Sequence, residues 1–135
     1  MGSYNDRTPV DYIGHRYLIN TLEQQNRLRF LMVTSIGCGD SWPYLSDRSK
    51  AAFGNAAREK SLAESWLQTS RLEFTILRPG GLKNDPATGN AVLSQNKDTH
   101  GLINRADVAL LTHQLLKDHN SIKQIYDCVD PTLTY

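Results

Sequence analysis

Cysteine is scarce in this chain, with only Cys38 and Cys128 among 135 residues. Two cysteines do not make a disulfide framework, which argues against a disulfide-stapled secreted protein and favours a reducing, cytoplasmic compartment. Net charge is nearly absent at +1, so there is no basic footprint for nucleic acid or an anionic membrane surface. No apolar run approaches the length of a membrane span. We therefore expect neither nucleic acid nor a membrane as a partner.

What the chain has is the composition of an ordinary folded domain, with 39% hydrophobic and 21% charged residues. Both shares are typical of globular proteins, and this length suits one domain. The sequence contains no internal repeat and no low-complexity tract. We predict a single domain over residues 1–135.

The most informative stretch is the apolar run Phe-Leu-Met-Val at residues 30–33. A run that does not alternate needs cover on both faces, which predicts a strand over residues 28–35 in a parallel sheet with helices on either side. Hydroxyls and glycines follow directly. That composition is typical of the ligand-binding end of strands in open α/β sheets.

Helical patterns and caps surround this strand. The pattern predicts helices over residues 9–25, 47–70 and 105–117, capped by Thr8, Ser46 and Asn104 respectively. On the first helix, we expect a buried face formed by Val10, Ile13, Tyr17, Leu18 and Leu22. On the second, the expected stripe is Phe53, Ala56, Ala63 and Leu67, widened by Leu62 and Trp66. On the third, it is Val108, Leu111, Leu115 and Leu116.

Two further strands are predicted over residues 73–78 and 124–129, with a short one near residues 91–93 inside a long polar loop. Helices and strands therefore alternate along the chain. Short strands joined by helices of this length pair in parallel through right-handed crossovers. The fold predicted from the pattern is α/β, a three-layer sandwich.

The ends of two strands form the candidate site. If consecutive strands are neighbours, one wall of a crevice is formed by Thr34, Ser35, Ile36 and Gly37 together with Arg78, Pro79, Gly80, Gly81 and Leu82. Ser35 can donate a hydrogen bond to a substrate oxygen, and the paired glycines let backbone amides approach a flat ligand. The residues alone leave open a simpler role, in which Ser35 and the glycines only turn the chain.

Lys60 lies on or beside the apolar stripe of the second helix, seven residues from both Phe53 and Leu67. A lysine pointing inward at a strand end can bind a ribose hydroxyl or influence a neighbouring proton. The alternative is a surface lysine whose aliphatic stem covers the edge of the stripe.

The remaining reactive side chains form no pattern. The four histidines have no partner at metal-ligand spacing, so no metal site is predicted. Cys38 lies in the glycine-containing loop at the crevice. It is interpreted as an inert small residue rather than a reactive thiol, because nothing nearby lowers its pKa.

Five segments, in order, resemble the C-terminal part of an atypical short-chain dehydrogenase/reductase of the NmrA-like group, which has an NAD(P)-binding Rossmann fold. They are residues 11–14, 30–37, 58–64, 75–82 and 105–109. The resemblance implies a cofactor and substrate site lined by Thr34, Ser35, Ile36 and Gly37. It also implies a contact from Lys60 to the nicotinamide ribose and a loop beside the nicotinamide at Pro79, Gly80, Gly81 and Leu82. Ser35 and Lys60 would be the catalytic polar groups.

This sequence departs from the family pattern in two ways. The tyrosine that the family has four residues before its active-site lysine is here Ala56. The glycine-rich turn that holds the cofactor pyrophosphate is absent, and so is the strand before it. About a third to two-fifths of a family member is missing at the front, given the usual strand order. We therefore expect a partial Rossmann fold, a truncated domain whose NAD(P) site is complete only in the full family fold.

The missing strands would leave an edge. In the family sheet, the strand at residues 28–35 has a neighbour on each side, and here one side would be unpaired. An apolar edge is a template for pairing with another chain, so we expect either a homodimer across it or a poorly soluble chain.

Two functions remain at this point. The resemblance implies an NAD(P)-dependent oxidoreductase acting on a small molecule, truncated and not expected to turn over by itself. The alternative is a non-catalytic NmrA-like dinucleotide sensor or protein-interaction module, which the loss of the tyrosine at Ala56 suits. A third interpretation is a degenerate remnant, or a chain with a misassigned start, without activity.

Overall fold

The described residues, 10–135 of a computed structural model, form alternating helices and strands. The helices are α1 (Ile13–Gln24), α2 (Asp47–Gln68) and α3 (Arg105–Lys117). The strands are β1 (Arg29–Val33), β2 (Glu73–Pro79), β3 (Gly81–Lys83), β4 (Val92–Ser94), β5 (Leu102–Asn104) and β6 (Gln124–Val129). Two 3₁₀ helices complete the fold, at Gly39–Tyr44 and His119–Ser121.

The main sheet has four strands in the order β1-β2-β6-β4. The first three are parallel and β4 is antiparallel to β6, while β3 and β5 form a separate parallel pair. Helices cover both faces, so the predicted three-layer α/β sandwich is confirmed.

The continuous burial of β2 from Phe74 to Pro79 is explained by the two covered faces of the sheet. Ile76 packs in a core with Ile19 of α1 and Leu67 of α2, whereas Leu77 packs in a second core with Leu111 of α3. Successive strand residues point to opposite faces, and each face here is covered by helix. A strand buried on both sides therefore shows no alternation.

The boundaries of the long elements agree closely with the prediction. Helix α3 and strand β6 coincide with it, and α2 begins at Asp47 with the Ser46 hydroxyl accepting from the Ser49 amide at 3.1 Å. The Asn104 side chain does not cap α3; its amide donates to the Pro86 carbonyl at 3.2 Å instead. The predicted cap Thr8 lies outside the described residues, and α1 begins only at Ile13.

The predicted buried face of α1 is wrong. The helix buries His15 and Ile19, and four of the five expected core residues are at least 36% exposed: Val10, Ile13, Tyr17 and Leu18. Ile19 packs onto the core with Met32 and Leu67, and this contact sets the rotation of the helix. The apolar pattern is present, but in this structure it faces solvent. Leu62 and Leu116 were also expected in the core and are exposed.

Substitutions in the buried core and on the surface should differ clearly in their effect on the free energy of unfolding. Ile76→Ala, at a position with no exposure, should lower the free energy of unfolding by about 2–5 kcal/mol because it leaves a cavity between sheet and helices. Leu110→Ala, at a position 52% exposed, is the control and should change it by no more than about 0.5 kcal/mol. Urea unfolding followed by circular dichroism measures both, and equal effects would contradict this assignment of the core.

Candidate functional site

The ends of β1 and β2 lie side by side, as predicted. The amide of Thr34 donates to the Leu77 carbonyl at 2.9 Å, and the amide of Ile36 donates to the Pro79 carbonyl at 3.0 Å. Parallel pairing therefore continues beyond β1 into the loop that follows. The carboxyl ends of the two strands open at the same edge of the sheet.

A crevice of about 460 Å³ lies at this edge. Seven of the predicted site residues line it: Ser35, Ile36, Lys60, Pro79, Gly80, Gly81 and Leu82. Its volume falls in the range of small-molecule sites, roughly 300–1,000 Å³. The structure thus brings the two strand ends and the lysine of α2 together in one cavity.

Lys60 lines the crevice from α2, in company with Phe53, Ala56 and Ala57. It is partly buried, so it is neither free on the surface nor enclosed in the core. The helix is kinked near this wall, where Phe53 has a non-helical φ of −142°. Ala56, four residues before Lys60, presents only a methyl group to the cavity.

Ser35 lines the opposite wall, and its Oγ lies 3.4 Å from the Sγ of Cys38. Burial raises the pKa of the Cys38 thiol, and the nearby Glu64 carboxylate raises it further. A thiol held in its protonated form is a poor nucleophile. The structure therefore supports the interpretation of Cys38 as an inert residue beneath the site.

Thr34 and Gly37 do not line the crevice, contrary to expectation. Thr34 is 5% exposed, and its Oγ1 donates to Glu64 Oε2 at 2.6 Å. Gly37 has a φ of +100°, and a Cβ there would lie 2.6 Å from Leu45 Cδ1. Strand alternation turns Thr34 away from the side where Ser35 points, and Leu45 fills the space beside Gly37.

Gly80 lines the crevice, but contact within the chain already requires glycine at this position. A Cβ there would lie 2.3 Å from the carbonyl oxygen of Gly101. The neighbouring Gly81 amide donates to that same carbonyl at 2.9 Å. The glycine pair thus lets the loop after β2 approach the chain just before β5, whether or not a ligand is bound.

An ion-pair network that the sequence analysis missed lies under the crevice. Arg78 is 3% exposed and binds Glu64 through two hydrogen bonds, Nε to Oε2 at 3.0 Å and Nη2 to Oε1 at 2.7 Å. Its Nη1 donates to Asp40 Oδ1 at 2.8 Å, and Lys97 Nζ lies 3.4 Å from Asp40 Oδ2. The sequence analysis placed Arg78 in the wall of the crevice, whereas its side chain pairs with Glu64 and does not line that crevice.

The network favours the charged forms of Arg78 and Asp40. Burial alone would lower the pKa of Arg78, but hydrogen bonds and charge from Glu64 and Asp40 raise it well above the usual range. Burial alone would likewise raise the pKa of Asp40, but the hydrogen bonds and charges of Arg78 and Lys97 together outweigh burial and lower it. The cluster is therefore a fixed structural link rather than a source of protons near neutral pH.

Asp127 is the unpaired acid beside this network. Its side chain is buried, its Oδ1 has no hydrogen-bond partner among the described residues, and it faces a polar cavity of about 50 Å³ next to Arg78 and Lys97. Burial raises the pKa of Asp127 to about 6, although the charge of Arg78 opposes the rise. Burial also raises the pKa of the adjacent Cys128 thiol to about 12.

Several lining residues were not predicted. They come from the loop before α2, from the chain around β5 and from the last residue, and comprise Leu45, His100, Gly101, Arg105 and Tyr135. Each lies on an element whose position relative to β2 depends on tertiary packing. Their sequence neighbourhoods gave no indication that these residues line the crevice.

Two other site classes are not seen. Within the described part of the chain, His, Cys, Asp and Glu side chains nowhere gather in a group of three that could hold a metal ion. In residues 10–135, no helix is both long enough and apolar enough to cross a membrane.

The sequence profile of a family described as NAD(P)H-binding matches residues 2–119. An uncharacterized chloroplastic protein of Arabidopsis thaliana is 34% identical over 123 residues, 86% of this chain and 44% of that protein. Sanguinarine reductase of Eschscholzia californica is 30% identical over 131 residues, 93% of this chain and 46% of the reductase.

A solved structure with the same fold is ChuY, described as an anaerobillin reductase, from Escherichia coli O157:H7. It superimposes with a TM-score of 0.93 at 50% identity, over 100% of this chain and 63% of that one. The chain thus spans less than half the length of these two curated relatives and less than two thirds of the solved structure.

Asp127 predicts a pH-dependent stability. Because its folded-state pKa of about 6 exceeds the ordinary 3.8, the folded chain holds a proton that the unfolded chain loses, and stability falls as pH rises through this window. Asp127→Asn removes that loss. The variant should gain about 1–3 kcal/mol relative to the original between about pH 4 and about pH 7.5 in urea unfolding.

The control for this prediction is Asp85→Asn, at an exposed carboxylate near Lys83. It should follow the original chain at both pH values. Parallel pH curves for the original chain and Asp127→Asn would mean that the buried carboxylate is compensated and would contradict the prediction.

Proposed function

We propose, from the premise that this chain belongs to the NAD(P)H-binding family, that it forms the nicotinamide side of an NAD(P)-dependent oxidoreductase acting on a small organic molecule. The observation that carries the proposal is the meeting of Ser35, Lys60 and the loop after β2 in one crevice. Two of the relatives described above are named as reductases.

The residues present fit one end of the cofactor. The crevice of about 460 Å³ can hold a nicotinamide with its ribose, and its wall combines apolar surface with Lys60 and Ser35. The sequence contains no G-x-x-G-x-x-G turn, whose backbone amides would cradle the pyrophosphate. The fit is therefore to the nicotinamide end.

The cofactor, when bound, supplies the hydride. The residues of the chain bind the cofactor and the substrate and orient them towards each other. Lys60 can donate hydrogen bonds to the ribose hydroxyls, and Ser35 can donate to an oxygen or nitrogen of the substrate. Ile36, Leu82 and the aliphatic face of the α2 wall exclude water from the reacting end.

A second candidate function is a dinucleotide sensor without catalysis. It is favoured by Ala56, which lines the crevice and offers no proton where the family places a tyrosine. The two candidates separate on one measurement, because a sensor binds NAD(P)H without oxidising it in the presence of a substrate.

We also propose that a second copy of the chain pairs with β1. This strand is bonded only to β2, so within the described residues its other side has no neighbour. The carbonyl of Leu28 and the amides of Thr34 and Ile36 bond towards β2, so by alternation the Leu31 and Val33 amides point outward. An edge of this kind favours association, and the solvent-facing apolar side of α1 adds to it. For such a chain, with both cysteines buried and free, we propose a reducing, cytoplasmic location.

Lys60 gives the direct test of cofactor binding. We expect saturable binding of NADPH or NADH in a fluorescence titration, weakened about tenfold by Lys60→Ala because charge-assisted hydrogen bonds to the ribose are lost. Lys117→Ala, at the far end of α3, is the matched control and should bind as the original does. A folded chain with no binding, or equal binding by both variants, would reject the proposed site.

Val33 gives the test of the edge. Val33→Pro removes an outward-pointing amide without breaking a bond to β2, so we expect it to shift the chain from dimer to monomer in sedimentation. Val33→Ala keeps that amide and should stay dimeric. A monomeric original chain over the micromolar range would contradict pairing through β1.

A further inference from the structure

The cationic side chains that line the crevice are not matched by any acidic side chain. Lys60 and Arg105 contribute to the wall, while among the described residues no aspartate or glutamate side chain lines it. We infer that the substrate of this crevice is an anion, an apolar body carrying a carboxylate or similar acidic group, and that Arg105 anchors that group. The inference rests on the proposed function and names the substrate class of the same site.

The charge of the wall is a local feature. The whole chain has 15 lysines and arginines against 14 aspartates and glutamates, so the positive charge of the wall does not reflect the composition of the chain. A cavity lined by charges of one sign and by apolar groups concentrates the electric field of those charges. It thereby raises the local concentration of an oppositely charged ligand.

The Arg105 guanidinium makes one hydrogen bond within the described residues and keeps further N–H donors unused. Arg105 is the first residue of α3, and its Nη1 donates to Asn84 Oδ1 at 2.5 Å, which holds the guanidinium. Its Nε and Nη2 bond to nothing else in the described part of the chain. A guanidinium with a free edge binds a carboxylate through two parallel hydrogen bonds.

Two acidic residues close in sequence to Arg105 and to its partner Asn84 are already engaged. The Asp107 carboxylate accepts from the amides of Thr88 and Gly89 at 3.0 and 3.1 Å. Asp85 lies 3.3 Å from Lys83. Since neither pairs with Arg105, the positive charge remains available to a ligand.

Asp98 lies 3.0 Å from the His100 ring, outside the lining. Within residues 10–135, Arg105 forms no ion pair with any acidic side chain.

The two cationic side chains of the crevice are assigned to two different ligands, the cofactor and the substrate. Lys60 lies on the α2 wall and is assigned above to the ribose of the cofactor. Arg105 comes from the first turn of α3, a different element of the wall. Phe53 and Ile36 supply apolar surface for the body of the substrate. This arrangement favours a substrate that is apolar at the reacting end and acidic at the other.

A pair of probes differing only in charge tests the inference. The whole chain is titrated with 2-naphthoate and, separately, with the neutral 2-naphthamide, and backbone amide shifts in NMR give both the site and the dissociation constant. We expect 2-naphthoate to shift amides of the crevice and to bind at least fivefold more weakly to Arg105→Gln. The binding of 2-naphthamide should not change.

Lys117→Gln, at the other end of α3, is the matched control and should bind both probes as the original does. Equal losses for both probes in Arg105→Gln would mean that the arginine shapes the cavity rather than binding an anion, and would overturn the inference. An unchanged 2-naphthoate affinity, or no binding of either probe to the original chain, would overturn it too.

An NADPH titration of Arg105→Gln separates substrate from cofactor. We expect no change; weaker NADPH binding would assign Arg105 to a cofactor phosphate and reject its role towards the substrate. If the original chain does not bind NADPH but does bind 2-naphthoate through Arg105, the proposed function fails while the anion site stands.

Discussion

The two-pronged contact between Arg78 and Glu64 is the interaction on which the candidate site depends. It joins the end of β2 to the middle of α2, and through Asp40 and Thr34 it also holds the 3₁₀ helix and the end of β1. Removing one partner of such a buried pair would leave the other charged and without compensation, at a cost of about 3–5 kcal/mol. Four chain segments that diverge from the sheet are thereby held at one point.

This contact also explains how a lysine reaches the crevice. Lys60 precedes Glu64 by four residues, one helical turn, so the helix that carries both is anchored by the ion pair just beneath the cavity. The kink at Phe53 lies on the other side of Lys60 along the helix. The position of the ammonium group is thus set by a rigid segment rather than by its own flexible stem, as a binding contact requires.

Apolar residues have two different roles in the crevice and on the exposed side of α1. In the crevice, Ile36, Leu82 and Phe53 leave a space that a ligand can fill, and the polar groups around it converge. On α1, Ile13 and Tyr17 are exposed without any convergent polar group, which is a feature of surfaces that pair with protein rather than with small molecules. The crevice and the exposed side of α1 can be tested separately, because they depend on different side chains.

Local pattern determined the elements and their order, because helix period, capping by Ser46 and the apolar run of β1 are properties of neighbouring residues. It also placed Ser35, Lys60 and the loop after β2 at one crevice, since parallel strands carry their carboxyl ends to one edge. Tertiary structure alone decided which side of α1 is buried, because a helical stripe does not say whether protein or solvent lies against it. It also decided that the Thr34 hydroxyl bonds to Glu64 instead of a ligand. Arg105 joins the site from more than twenty residues beyond the end of β2. Such contacts depend on the packing of elements distant in sequence.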